Sequence, residues 1–140
     1  MSQRSQPTPE SPIKRDRRFI RRGSVPLSLH GIAEYGIGVL SIAAPFLFNF
    51  DSNGATVISA LIGAGVLVLA VVTEAPTGIV RNLPIASHIV IDYVLSLFLI
   101  VAPFIFSFTD DSSATAYFIV LGVVYLLLTI TTRYRKPAKD

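Results

Sequence analysis

The sequence contains two copies of a histidine that is followed four residues later by an acid, a pattern that can support proton transfer or metal binding. The first pair is His30 and Glu34, and the second is His88 and Asp92. On a helix, a separation of four residues places both side chains of a pair on one face. Histidine changes charge near neutral pH and is a common metal ligand, so these pairs could carry protons or hold a metal ion.

The sequence leaves three interpretations of the pairs open. The simplest is a local histidine–carboxylate hydrogen bond that neutralises both groups and ties its helix to a neighbour. The second is a proton relay or ion site that is built from both pairs. The third is a cofactor site, with a metal held by all four residues, a haem between His30 and His88, or a quinone. Because di-iron bundles use Glu-x-x-His and the spacing here is His-x-x-x-acid, we predict no cofactor and no metal site.

The segments that carry these pairs are apolar enough to cross a membrane. The chain has 140 residues, of which 51% are hydrophobic and 15% charged, which is too apolar for a soluble domain of this size. A span needs roughly 20 mostly apolar residues. Four segments qualify: 31–50, 55–73, 89–108 and 114–132. The absence of cysteine excludes disulfides, thiolate metal sites and cysteine nucleophiles.

The distribution of basic residues predicts the orientation of these spans. All twelve Lys and Arg residues lie before the first span, between the second and third, or after the fourth. The turns at 51–54 and 109–113 contain acids and no basic residue. Because positive residues stay on the cytoplasmic side, we predict that both termini and the middle loop are cytoplasmic.

The chain contains an internal duplication. A shift of 58 residues places one His–acid pair on the other, and the string AAPFLFNF of residues 43–50 on VAPFIFSF of residues 101–108. After one inserted residue the match continues at a shift of 59, with Thr73 on Thr132. Each repeat is a hairpin of two spans, so both run in the same sense. The predicted pseudo-two-fold axis therefore lies along the membrane normal.

The repeated strings resemble a known family. A small residue, a proline and an aromatic stand late in each first helix, as Ala44-Pro45-Phe46 and Ala102-Pro103-Phe104. An acid–aromatic pair stands near its start, as Glu34-Tyr35 and Asp92-Tyr93. Over about residues 25–134 the chain resembles the SPW-repeat family of small prokaryotic membrane proteins, although Ala and Phe replace the Ser and Trp of the motif. The resemblance implies a four-helix membrane protein and implies no activity.

The prolines and small residues make predictions about helix shape and packing. Pro45 and Pro103, each followed by a phenylalanine (Phe46 and Phe104), predict a kink about one turn before the outer ends of spans one and three. Small residues allow helices to approach closely. Four are predicted to mediate packing: Ser59, Gly63, Gly65 and Gly122. We expect the fourth helix, which is bulkier, to be more exposed to lipid or to present its aromatics to another subunit.

These observations predict an all-α membrane protein of four transmembrane helices, arranged as two tandem helical hairpins. The predicted parts are a disordered basic tail at 1–23, repeat 1 at 24–75 with helices at about 25–50 and 55–73, a cytoplasmic loop at 76–82, repeat 2 at 83–134 with helices at about 83–108 and 114–132, and a basic tail at 135–140. The first helix of each repeat is expected to follow an N-cap at Ser24 or Asn82.

No catalytic motif accompanies these spans, so we predict that the protein is not an enzyme. The favoured function is a structural, accessory or assembly component of a prokaryotic cytoplasmic membrane. Its expected partners are the lipid bilayer and a second membrane protein or further copies of itself, without nucleic acid. The alternatives are a proton- or ion-coupled membrane protein that uses the His–acid pairs, and a haem- or quinone-binding module.

Overall fold

A computed structural model describes residues 23–134, which form four α-helices and no strand. The helices are α1 (Leu27–Leu47), α2 (Asn53–Val72), α3 (Ile85–Ile105) and α4 (Ser112–Thr131). All four are long and apolar enough to cross a membrane, at about 1.5 Å of rise per residue. The predicted all-α membrane class is therefore confirmed. The predicted tail at 135–140, and the one at 1–23 except for its last residue, lie outside the described residues.

The helices pair as two hairpins, α1 with α2 and α3 with α4, as predicted. A glycine in the second helix of each hairpin allows the closest approach. A Cβ on Gly63 would lie 2.5 Å from the carbonyl oxygen of Gly38, and one on Gly122 would lie 2.9 Å from that of Ser96. Gly65 differs from both, because it is exposed and a Cβ there would meet nothing within 4 Å. Within the described chain, Gly65 therefore takes no part in helix packing.

The first helix of each hairpin begins later than predicted, and a proline is the reason. The N-cap residues are Pro26 and Pro84 rather than Ser24 and Asn82. A residue that precedes proline is disfavoured in the helical region of backbone conformation. Residues 25 and 83 therefore stay extended, and the helices start at 27 and 85.

The two extended residues join the hairpins to each other. Val25 forms a parallel bridge with Thr132, and Leu83 forms one with Thr73. Each bridge thus connects the start of one repeat to the end of the other. We call this end of the bundle, where α1 begins and α4 ends, the termini end, and the opposite end the turn end.

At the turn end, α1 and α3 close in the same way. Helix α1 continues for two residues past Pro45, and Asn49 then takes a left-handed conformation with a φ of 51°. The N–H of Phe50 bonds to the carbonyl of Pro45 at 3.0 Å, which is the longer bond of a Schellman cap. The second hairpin repeats this at Pro103, Ser107 and Phe108. The predicted kink at each proline stays a prediction.

Ser59 has a role that its small size did not indicate. Because Pro45 has no N–H, the carbonyl of Ser41 lacks its helical partner. The hydroxyl of Ser59 in α2 donates to that carbonyl at 2.6 Å. The second repeat has Phe118 at the position equivalent to Ser59, so this bond is specific to the first hairpin.

The aromatic side chains of α4 fill the interior of the bundle. Phe118 and Tyr125 are fully buried, and the Phe118 ring packs on Phe108 with 5.0 Å between centroids. The alternative prediction, that α4 presents its aromatics to another subunit, is therefore wrong for these two residues. Phe46 and Phe104 of the repeated motif, in contrast, are 79% and 63% exposed.

One carboxylate ties the two turns together. Asp111 accepts backbone N–H bonds from Asp51 at 2.8 Å and Ser52 at 2.9 Å in the other turn, and from Ala114 at 3.0 Å in α4. Burial by itself would raise the pKa of Asp111, but these hydrogen bonds stabilise the charged form. The net effect is a pKa below the usual range for a carboxyl group.

Candidate functional site

The structure brings the two predicted His–acid pairs together at the termini end. His30 and His88 are each the fourth residue of their helix, and Glu34 and Asp92 follow one turn later. Because each bridge holds the start of one hairpin against the end of the other, the four side chains meet between the repeats. None of them is more than 3% exposed. The site therefore belongs to neither hairpin alone.

The four side chains form a ring in which nitrogen and oxygen atoms alternate. It runs from His30 to Asp92, His88, Glu34 and back to His30, with sides of 3.2, 3.1, 3.0 and 3.6 Å. Both histidines contribute Nε2, and the acids contribute Oε1 and Oδ2. We call this arrangement the His–acid ring. Contacts between the hairpins are as short as those within one helix, so the ring holds the repeats together.

A threonine from the opposite repeat fixes the orientation of His30. Its Nδ1 lies 2.8 Å from the hydroxyl of Thr132, and that hydroxyl donates its proton to the carbonyl of Leu128 at 2.6 Å. Because a hydroxyl has one proton, it must accept from His30, so Nδ1 carries hydrogen and Nε2 points into the ring. The same chain of bonds, of 2.7 and 2.6 Å, recurs at His88, Thr73 and Leu69.

Tyr125 of α4 binds both acids of the ring. Its hydroxyl oxygen lies 2.9 Å from Oε1 of Glu34 and 2.9 Å from Oδ1 of Asp92. The equivalent position in the first repeat is Val66, which has no polar group. One tyrosine thus serves both carboxylates and breaks the symmetry of the duplication.

Two atoms of the ring lack a hydrogen bond. Nε2 of His30 and Oδ2 of Asp92 are fully buried and have no hydrogen-bond partner among the described residues. They lie only 3.2 Å apart, so the contact is close but is not directed along an N–H bond. The ring therefore contains two polar atoms that face each other without a satisfied bond.

The sequence indicated the ring residues but not the residues that support them. Thr73 and Thr132 are aligned by the duplication, and a polar residue repeated at the end of an apolar span was a usable signal. Tyr125 interrupts the duplication, and its only signal is a hydroxyl in an apolar helix. The remaining predicted residues lie elsewhere: Pro45, Phe46, Pro103 and Phe104 at the turn end, and Ser59, Gly63 and Gly122 at contacts within the hairpins.

The comparison with known families identifies the chain. A family model of the SPW repeat domain matches residues 28–132, which is most of the chain. The chain belongs to the SPW repeat family. The SPW repeat match covers all four helices, the His–acid ring and both threonines that hold it. With four apolar helices, this SPW repeat protein is a multi-pass membrane protein. None of the curated proteins and none of the solved structures compared with the chain matches it.

Proposed function

We propose that this SPW repeat protein is a non-catalytic component of a prokaryotic cytoplasmic membrane, with a structural, accessory or assembly role. The observation that supports this best is the burial of the His–acid ring, whose members are at most 3% exposed. A catalytic acid or base must come within hydrogen-bond reach of its substrate. No substrate can do so here unless the hairpins separate. The ring therefore serves as the joint between the repeats.

The interior between the ring and the turn end argues against proton or ion transport. Leu99 and Phe118 are buried there, with exposures of 1% and 0%. A relay needs a continuous series of polar groups or water, and these side chains interrupt it. The buried serines of this interior, Ser41, Ser59 and Ser96, bond to Tyr117 or to backbone carbonyls and not to one another's hydroxyls. The hydroxyls therefore form no continuous chain, which favours a fixed joint over a conduction path.

The proposal also includes a partner in the membrane. An accessory protein acts by contacting another membrane protein. Outside the ring, this chain exposes apolar side chains such as Phe46 and Phe104. We propose that lipid covers most of this surface and that a further copy or a larger membrane protein covers part of it. Both termini are proposed to be cytoplasmic, because the basic residues lie on that side of the spans.

Native mass spectrometry of the full chain in membrane-derived nanodiscs tests the proposal. The chain carries a purification tag without histidine, and the sample is taken directly from the membrane. We expect a homo-oligomer, or one membrane protein present at a fixed ratio that also recovers the chain in a reciprocal purification. Recovery of the monomer alone, from nanodiscs large enough for an assembly, would count against an accessory role.

A further inference from the structure

We propose that the His–acid ring binds one divalent transition-metal ion. The ligands are Nε2 of His30, Nε2 of His88 and the carboxylates of Glu34 and Asp92. This departs from the sequence-based prediction of no metal site, because the sequence did not show that the two pairs meet. The inference does not depend on the proposed accessory role.

The distances between the ligand atoms fit a four-coordinate ion. With metal–ligand bonds of about 2.0–2.2 Å, the ligand atoms of a tetrahedral site lie roughly 3.3–3.6 Å apart. The four sides of the ring measure 3.0, 3.1, 3.2 and 3.6 Å, so one lies within this range and three lie just below it. All four donor atoms also lie within 4.8 Å of one another. Small shifts of the side chains would therefore complete the coordination.

The groups around the ring prepare its members to act as ligands. A metal-binding histidine usually donates its other ring N–H to an oxygen, which fixes its tautomer and orientation. His30 and His88 both do so, to Thr132 and Thr73 at 2.8 and 2.7 Å. In the neutral imidazole this leaves the lone pair of Nε2 directed into the ring. The hydroxyl of Tyr125 lies 2.9 Å from an oxygen of each carboxylate and so supports both acids.

The unsatisfied atoms and the charges of the ring point to a cation. Nε2 of His30 and Oδ2 of Asp92 lack hydrogen bonds although both are buried. An ion between them would bind both atoms at once. Two carboxylates also bring two negative charges into a closed apolar site, where uncompensated charge is costly. A divalent ion with two neutral imidazoles balances these charges, as two protonated imidazoles would, so it is the two unsatisfied atoms that favour the ion.

The ligand set also restricts the kind of cofactor. Imidazole with carboxylate suits zinc and similar first-row ions, whereas magnesium and calcium prefer oxygen ligands alone. Carboxylate oxygens lie 3.0 to 3.6 Å from both Nε2 atoms and fill the space that a porphyrin would need. Four protein ligands in a closed site are typical of a structural metal rather than a catalytic one.

Zinc binding by the full chain tests the proposal. The protein is purified in detergent with a tag that lacks histidine, stripped with a chelator and titrated with Zn²⁺, and bound metal is counted by mass spectrometry. We expect one zinc per chain. Glu34→Gln should weaken binding by about 100-fold or more, because it removes a ligand rather than a supporting group. Glu74→Gln is the matched control, since Glu74 is exposed and outside the ring, and it should bind zinc as the parent does.

X-ray absorption at the zinc edge of the loaded parent protein keeps the test valid if Glu34→Gln does not fold. We expect two imidazoles and two oxygen ligands at about 2.0–2.2 Å. The proposal is overturned if the stripped parent takes up no stoichiometric zinc, which would mean that the ring is held by ion pairs alone. It is also overturned if a folded Glu34→Gln variant binds as tightly as the parent, or if the spectrum lacks histidine.

Discussion

At the scale of single residues, the His–acid ring depends on groups that hold its members rather than on the four members alone. The threonines fix the histidines, and Tyr125 binds both acids. Removal of one partner of a buried hydrogen bond destabilises a protein strongly, because the other polar group is left buried without a bond. The hydroxyl of Tyr125 is therefore expected to stabilise the protein in addition to the packing of its ring.

Replacement of Tyr125 by phenylalanine tests this expectation. It removes the hydroxyl shared by Glu34 and Asp92 but keeps the ring that fills the core. We expect the free energy of unfolding in detergent to fall by about 1–3 kcal/mol. Tyr93→Phe is the control, since Tyr93 is 37% exposed, and it should change stability by less than about 0.5 kcal/mol. Equal effects of the two substitutions would show that the hydroxyl does not support the ring.

Asp111 provides a second prediction, which concerns pH. Its pKa in the folded protein is below the usual value of about 3.9. A lowered pKa contributes stability above the unfolded pKa, and that contribution is lost as the pH falls through the folded value. We expect the melting temperature of the parent to exceed that of Asp111→Asn at neutral pH. The difference between the two melting temperatures should decrease below about pH 4.

The exposed neighbour Asp110 supplies the control for this pH series, as Asp110→Asn. Thermal unfolding of the three proteins across the acid range is the measurement. If the difference in melting temperature between the parent and Asp111→Asn stays constant with pH, the charge of Asp111 does not stabilise the fold as described.

At the scale of helices, the sequence predicted the elements well and their boundaries less well. The lengths of the hydrophobic segments and the internal duplication were sufficient to predict four helices in two hairpins. The starts at 25 and 83 were misplaced, because a good N-cap residue was given more weight than the restriction that proline places on the preceding residue. That error hid the bridges of Val25 and Leu83, which place each histidine beside the threonine of the other repeat. The sequence therefore predicted the two pairs but not the ring.

The glycines of α2 allow a matched test of helix packing. A Cβ at position 63 would lie 2.5 Å from the carbonyl oxygen of Gly38, so Gly63→Ala should force the helices apart. We expect a loss of about 1–3 kcal/mol in the free energy of unfolding. Gly65→Ala should be neutral or stabilising by up to about 1 kcal/mol, since the added Cβ would have no atom within 4 Å and alanine has a higher helix propensity than glycine. The packing account fails if both substitutions destabilise the protein equally.

At the scale of the whole molecule, the duplication explains why the ring lies between the repeats. Each hairpin supplies one histidine, one acid and one threonine, and the bridges bring the two sets together. Tyr125 has no counterpart in the first hairpin, and neither does Tyr134, whose ring packs against His30. The charge pattern predicts that this joint lies on the cytoplasmic side of the membrane.

Reporter fusions test the proposed orientation. Green fluorescent protein at the C-terminus should fluoresce, because that end is proposed to be cytoplasmic. Alkaline phosphatase should be active when it is inserted in the turns at 51–54 or 109–113 and inactive when it is inserted in the middle loop at 76–82. The reverse pattern would show that the basic residues do not orient this chain.

His88 of one repeat and Glu34 of the other are joined in the ring, with 3.0 Å between Nε2 and Oε1. A double-mutant cycle with His88→Asn and Glu34→Gln measures this directly through unfolding free energies in detergent. Each single substitution leaves the other side chain buried without its ionic partner. The second substitution should therefore lower the free energy of unfolding much less than the first. We predict a coupling energy of at least about 1 kcal/mol, whereas effects that add to within about 0.3–0.5 kcal/mol would contradict the account.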